Sequence, residues 1–475
     1  MNQSGFGLRR LEIGALLVAC AAAEVIVHAA GVRLDGSTLE TSWHLLPAEV
    51  LRGRLLSGLL HLHSQPPLFN WLVGATIQVA PAHETAALHV LLVACGIAAV
   101  LAAAGLARAL GAGRSAPLAG LLLLAQPSFL LYEHHLGYEV PLAASLAISG
   151  LLLAHAVARR ADASRSALLL AGSLTAAASA CLLRSLFPLP FFLAAAALAA
   201  RALGSRRTAL AAALPLFALL GWQAKNAAVF GLAGPSSWLG MSLSRMTVER
   251  LPLPDRRALL AQGKLSSAAL VGGFQPIEAY PKALTAVPPD FAHVPELTLE
   301  RKRSGADNYN HAGYLAVSKA LAADATSVIL RRPAAFASAV GAAWMISLQP
   351  SSQWRFLAPN ESRLYRYSKS WERWLSLEVP LPVRISGQTE VYLSLLFGVP
   401  WLFWRALKTF RREPRESPAG ATAAFCALCI ATVFVLGNTL EVGENNRFHA
   451  PLAPLFAALL VAGVASKGTL QPRGP

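Results

Sequence analysis

Charge is what this 475-residue sequence has least of. Asp, Glu, Lys and Arg make up 14% of it and hydrophobic residues 55%, whereas a soluble domain carries roughly 25% charged residues. That shortage excludes an ordinary soluble protein and points to a polytopic membrane protein. Acidic residues are the scarcer sign, 25 against 41 Lys and Arg, for a net charge of +16. No basic cluster with interleaved aromatics accompanies the excess, so nucleic acid is not expected as a partner. Basic cytoplasmic loops and anionic lipid or phosphate ligands account for it instead. Cysteine is equally scarce: Cys20, Cys95, Cys181, Cys426 and Cys429 all fall within apolar runs. The pair Cys426-x-x-Cys429 has no second pair, so it reads as small buried side chains rather than a zinc or redox site. No fixed-period repeat or low-complexity tract is evident, which excludes a solenoid.

Long apolar runs are what the sequence has in abundance. Segments of about 17–25 apolar residues can span a bilayer, and they occur at 11–30, 86–108, 115–131, 138–158, 166–184, 186–202, 208–225, 388–408, 419–437 and 447–466, ten in all. Arg9 and Arg10 before the first run imitate a signal peptide. The run is long enough to span and no small-residue cleavage pattern follows, so it is expected to remain as a transmembrane helix. Two shorter stretches, 66–81 and 334–348, compete for a place among the spans. If neither spans, Arg108, Arg114, Arg159, Arg160, Arg165, Arg201, Arg206, Arg207 and the cluster Arg405, Lys408, Arg411, Arg412 and Arg415 all share the cytoplasmic side. Both stretches are therefore expected to lie as amphipathic helices on the outer membrane surface.

Three parts follow. Residues 1–225 form a transmembrane module whose first outer loop is 31–85. Residues 226–387 form a partly soluble extracytoplasmic segment, with Pro288-Pro289-Asp290 and Arg301-Lys302-Arg303 as surface loops and a surface helix near 334–348. Residues 388–475 supply the C-terminal transmembrane helices and an outer motif, Glu444-Asn445-Asn446-Arg447-Phe448.

Ionisable residues gather at the outer ends of the apolar runs, where they are costly and need a reason. Asp35 and Glu40 follow the first run directly, and either carboxylate can serve as a general base. Asp35-Gly36-Ser37-Thr38 is also a good turn and helix-cap sequence. His61, His63 and Gln65 precede Pro66-Pro67, which stiffens the entry to the 66–81 helix, whose first amides and His63 suit a phosphate. The second outer loop, Tyr132-Glu133-His134-His135-Leu136-Gly137-Tyr138-Glu139, holds two carboxylates, two histidines and two tyrosines. Adjacent histidines point apart on regular structure and no third ligand is held in a fixed frame, which argues against a metal here. It suits acceptor binding or a second acid. Arg184, Lys225 and Arg447 place three cations at one membrane face, as a lipid-linked phosphate requires.

The order of these pieces resembles the GT-C superfamily of membrane glycosyltransferases. An acid-bearing outer loop ends in His63-Ser64-Gln65-Pro66-Pro67-Leu68-Phe69-Asn70; Leu183-Arg184-Ser185 and Trp222-Gln223-Ala224-Lys225-Asn226 follow; Glu444-Asn445-Asn446-Arg447-Phe448-His449 closes the chain. The likeness is to the branch with protein O-mannosyltransferases and lipid A aminoarabinose transferases. It implies an all-α polytopic fold and transfer of a sugar, with inversion, from a polyprenyl-phosphate donor to an envelope lipid, glycan or protein. The active site would face outward from a bacterial inner membrane. By the same resemblance Glu40 or Asp35 takes the first-loop acid role, Glu139 or Glu133 the second, and Arg447 touches the carrier phosphate. His63, Gln65, Arg184 and Lys225 join it there, while His61, Tyr132, His134, Tyr138 and Glu444 line the site. No cofactor is certain; a divalent metal, Mg or Mn, serves some relatives and not others. The competing expectations are a transporter or flippase of a lipid-linked anionic substrate and a non-catalytic envelope protein of the same fold. Repeat symmetry and mid-membrane polar helices, the marks of a transporter, are not evident.

Overall fold

The computed structural model describes residues 7–375, 378–385, 388–414 and 416–465. Arg415, counted above with the cytoplasmic charges, lies outside them, as does residue 466 at the end of the last expected span. Among the described residues, eight helices are long and apolar enough to cross a membrane: α1 (Arg10–Ala29), α2 (Glu84–Ala109), α3 (Glu139–Ala158), α4 (Ala163–Leu183), α5 (Ser205–Phe230), α6 (Gly313–Arg331), α7 (Pro418–Leu440) and α8 (Asn445–Ala465). The chain is a helical, polytopic integral membrane protein.

The differences from ten spans have local causes. The 115–131 run is two helices, Gly113–Leu124 and Pro127–Glu133, bent by 65°. Pro127 has no N–H to bond back and drives Gln126 into an extended conformation, so the helix breaks there. The second half buries Tyr132 and Glu133 rather than presenting them on a turn. The 186–202 run gives Leu189–Leu203, only 15 residues long. The 388–408 run opens as a strand: Gln388–Tyr392 pairs antiparallel with Glu378–Ile385, and the helix begins at Leu393. Pro380 and Pro382 forbid a helix there, and the interleaved β-branched residues favour extension. Conversely, α6 meets the length and composition criteria but packs against the helix Leu239–Met246. Its Tyr314, Val317 and Leu321 belong to a cluster with Trp238, Met241 and Tyr280, the surroundings of a helix inside a folded subdomain.

The stretches 66–81 and 334–348 become Pro67–Val79 and Pro333–Ser347, of 13 and 15 residues, each with Pro in its first turn. At about 1.5 Å per residue, both are shorter than the ~30 Å hydrocarbon core.

Backbone contact and long-range hydrogen bonds join the 226–387 segment together and to the first loop. A Cβ on Gly240 would sit 1.8 Å from the Ser318 carbonyl oxygen, so only glycine lets helix Leu239–Met246 lie on α6. Asn310 accepts through its side-chain oxygen from the backbone N–H of His63 and of Ser64, at 3.0 and 3.2 Å. Lys302, expected on a surface loop, is buried; its Nζ donates to the carbonyls of Ser42 and Leu45 at 2.5 and 2.7 Å. Two satisfied carbonyls explain how a lysine is tolerated inside, although burial lowers its pKa to about 7.

Candidate active site between two cavities

Two cavities of nearly equal size flank the segment 441–448. One, of about 720 Å³, is polar, with Thr41, Trp43, Arg245, Asp307, Tyr309 and Glu444 in its wall. The other, of about 740 Å³, is mostly apolar, with Gln65, Arg184, Phe230, Trp238, Leu436 and Phe448 in its wall. Glu441 and Phe448 border the apolar cavity, and Gly443, Glu444 and Asn446 the polar one.

Arg447 lies in this dividing segment and is 3% exposed. Its Nη1 is 3.3 Å from Glu444 Oε2 and its Nε 3.9 Å from Glu139 Oε1. Its Nη2 donates to Tyr138 Oη and to His44 Nε2, the latter at 3.0 Å. Arginine only donates, so His44 carries its proton on Nδ1. Burial first, then the charges of Arg184 and Arg447, push the His44 pKa well below the usual imidazole range. A neutral His44 is therefore part of the cation's cradle. The guanidinium also stacks 4.5 Å from the Trp354 ring centre.

Arg184 ends α4 in an extended conformation, and its guanidinium lies 4.7 Å from the Tyr138 ring centre. Arg447 approaches the same ring at 5.4 Å. Nη1 of Arg184 is buried without a hydrogen-bond partner among the described residues, and the residue lines the apolar cavity. Both carboxyl oxygens of Glu139 also lack a hydrogen-bond partner among the described residues. Burial works to raise the Glu444 pKa, but Arg447 and more distant arginines outweigh it and lower it.

The remaining sequence candidates are dispersed. His63 is fully buried, with Nδ1 2.8 Å from Ser237 Oγ and Nε2 3.0 Å from the Asn310 carbonyl. Its ring is committed to holding the loop. Lys225 Nζ donates to the Leu62 carbonyl at 2.6 Å and sits 3.6 Å from the Trp222 ring centre. His61 Nδ1 is 3.4 Å from the buried Glu296, which Arg54 also approaches at 3.6 Å. Asp35 accepts from the Ser37 backbone and hydroxyl at 2.9 and 2.8 Å, the turn-and-cap arrangement. Glu40 receives Arg52 at 3.2 Å on one oxygen; its other oxygen is buried without a partner among the described residues. Glu40 borders neither large cavity, although its neighbour Thr41 borders the polar one. Tyr132 donates to the Ser351 carbonyl at 3.2 Å and stacks on Trp354. The Glu133 carboxyl packs against Gly96, where a Cβ would lie 1.6 Å away. His134 joins Glu24, His28 and His89 in a group able to hold a metal ion.

Sequence reasoning missed His44, Asp307, Lys302, Glu24, His28 and His89. Asp307 lies in the polar cavity wall, and burial, opposed by Arg301, raises its pKa. Nothing near it in the chain signals a site. Glu24 and His28 did carry a signal, a carboxylate and an imidazole one helical turn apart within a spanning run.

No protein-family model matches the chain, and no curated protein matches it. Among solved structures it is similar to ArnT from Cupriavidus metallidurans bound to undecaprenyl phosphate, at 14% identity and a TM-score of 0.35, over 97% of this chain and 82% of that one. It is also similar to the apo state of the same ArnT, at 14% identity and a TM-score of 0.32, over 90% and 78% of the two chains.

Proposed function

We propose that the protein is a membrane glycosyltransferase that moves a sugar from a polyprenyl-phosphate donor to an envelope acceptor. The observation that carries this is the pair of unlike cavities separated by a buried cation. An apolar cavity with Arg184 and Gln65 in its wall suits a lipid chain ending in a phosphate. A polar cavity walled by aromatic faces and by carboxylates suits the acceptor. Arg447, between them, faces the charge that develops as the sugar leaves phosphate.

The step is a displacement at the anomeric carbon. A bond forms from the acceptor oxygen or nitrogen to that carbon, the carbon–oxygen bond to phosphate breaks with its electron pair leaving on phosphate, and the acceptor proton passes to a carboxylate. Glu40, Glu139 and Glu444 compete for that proton. Glu444 fits best, because it borders the polar cavity and touches Arg447. A phosphate that draws Arg447 toward itself would weaken the ion pair with Glu444 and raise its basicity. Glu139, behind Arg447, offsets the cation's charge. A divalent metal of the Mg or Mn type remains an optional aid at the phosphate.

The active site is proposed to face outward from a bacterial inner membrane. A cysteine at the exposed Lys264 position should then react with an impermeant thiol reagent on intact cells; labelling only after lysis would reverse the orientation. The activity is tested by reconstituting the purified protein with polyprenyl-phosphate sugars, after comparing envelope glycans and lipids by mass with and without the gene. Donor consumption that depends on the protein supports the reading. Donor crossing vesicles without consumption would make the protein a flippase.

A further inference from the structure

Glu24, His28, His89 and His134 come from three separate parts of the chain: the last turns of α1, the second turn of α2, and the residue after helix Pro127–Glu133. From Glu24 Oε2, His89 Nε2 lies at 3.6 Å and His134 Nε2 at 3.5 Å; His28 Nδ1 lies at 3.5 Å and also 3.0 Å from the Glu24 backbone carbonyl, a contact it gives up on binding a metal. One ligand atom from each of the four residues lies within 4.8 Å of all the others. Zinc bonds of about 2.0–2.2 Å put tetrahedral ligand atoms about 3.3–3.6 Å apart. The spacings to Glu24 are thus near those of a four-coordinate site.

The ring of His134 is fully enclosed, and its Nδ1 is 2.9 Å from the Leu130 carbonyl. A proton on Nδ1 donates to that carbonyl and leaves the Nε2 lone pair aimed into the cluster, the outer-sphere arrangement of metal-bound histidines. Nε2 of His134 and Nε2 of His89 have no hydrogen-bond partner among the described residues. Three imidazoles gathered around one carboxylate are expensive at a membrane boundary unless something shares their lone pairs. His28 retains partial exposure, which supplies a path for entry.

We propose that these four residues bind one zinc ion, at a structural site distinct from the two cavities. Imidazole nitrogens with one carboxylate in a closed tetrahedron select zinc over magnesium or manganese, which prefer six oxygen ligands. The ion would pin the ends of α1 and α2 to the loop that runs on to Tyr138 and Glu139. This inference is independent of the transferase reading, since it stands on ligand geometry alone.

The test uses the full chain purified in detergent, stripped with chelator and then given zinc or cobalt(II). About one zinc per chain should survive gel filtration, cobalt should give the intense visible bands of a four-coordinate ion, and zinc should displace it. E24Q/H89Q should lose the retained zinc, and zinc should raise the melting temperature of the wild type but not of this variant. Retention undiminished in E24Q/H89Q would place the metal elsewhere and overturn the proposal. So would a six-coordinate cobalt spectrum or no retained zinc in the wild type, a readout that does not depend on the variant folding.

Discussion

The two cavities have nearly the same volume and opposite linings, and the contrast traces to which part of the chain builds each wall. The apolar cavity draws on the ends of apolar helices: Arg184 and Leu186 after α4, Phe230 at the end of α5, Leu436 and Leu440 in α7. The polar cavity draws on loops, with Thr41 and Trp43 from the first, Ala306, Asp307 and Tyr309 from the middle segment and Gly443 to Asn446 before α8. Loop walls can carry several carboxylates because water or cations remain within reach, whereas the apolar wall carries few charges, Arg184 and Lys319 as long side chains and Glu441 after α7. Lys302 makes the second wall possible by fastening the 301–307 loop onto residues 42–45.

Four measurements sharpen or break this division. The largest effect is expected in the polar cavity. Glu444→Gln should lower kcat by about 10²–10⁴-fold with donor affinity retained, as for loss of a general base. Glu40→Gln is the companion variant, and a greater loss there would return the base to the first loop. Next, Arg184→Ala should weaken donor binding by about 1.5–3 kcal/mol, the worth of a hydrogen bond from a charged group, and leave the acceptor KM unchanged. An equal effect on both substrates would erase the distinction between the cavities.

Gly240→Ala is a smaller, structural test of the apolar wall. It forces Leu239–Met246 off α6, at a cost of about 1–3 kcal/mol from overpacking, read as a lower melting temperature in detergent. Smallest is a pH effect at His63, which holds Ser237 in the same wall. Burial lowers its pKa to about 3, opposed in part by a hydrogen bond to Asn310. The unfolded chain, with an ordinary imidazole near 6.5, takes up a proton between those values that the folded chain refuses. Stability from this site is thus full above pH 6.5 and declines as pH falls through that window. The melting temperature of the wild type should fall more steeply between pH 6.5 and 4.5 than that of His63→Gln, and parallel slopes would contradict it.

Much of the site was legible because ionisable residues at the ends of apolar runs are rare. Arg184, Tyr138, Glu139, Glu444 and Arg447 stood out for that reason, and the fold brings all five together. His63 and Lys225 carried the same signal, and the fold spends them on hydrogen bonds that shape loops. No local feature separates the two outcomes, since both reward a polar group near the membrane boundary. Asp307 and Lys302 were illegible for the opposite reason: a charged loop residue is ordinary until its partners, more than 250 residues away for Lys302, are known. The paired strands Glu378–Ile385 and Gln388–Tyr392 were hidden by an apolar run that spilled across the strand boundary into a helix.

The sequence by itself determined the membrane class, the places where most helices run, and the list of costly polar residues. These follow from transfer of apolar side chains and from backbone sterics, which act over one or two turns. Only the tertiary structure decided which polar residues meet. Arg447 and His44 are 403 positions apart, and Glu24 gathers histidines from three segments. Such contacts are set by how helices and loops pack as a whole, where a register change of one residue would turn each side chain to another face.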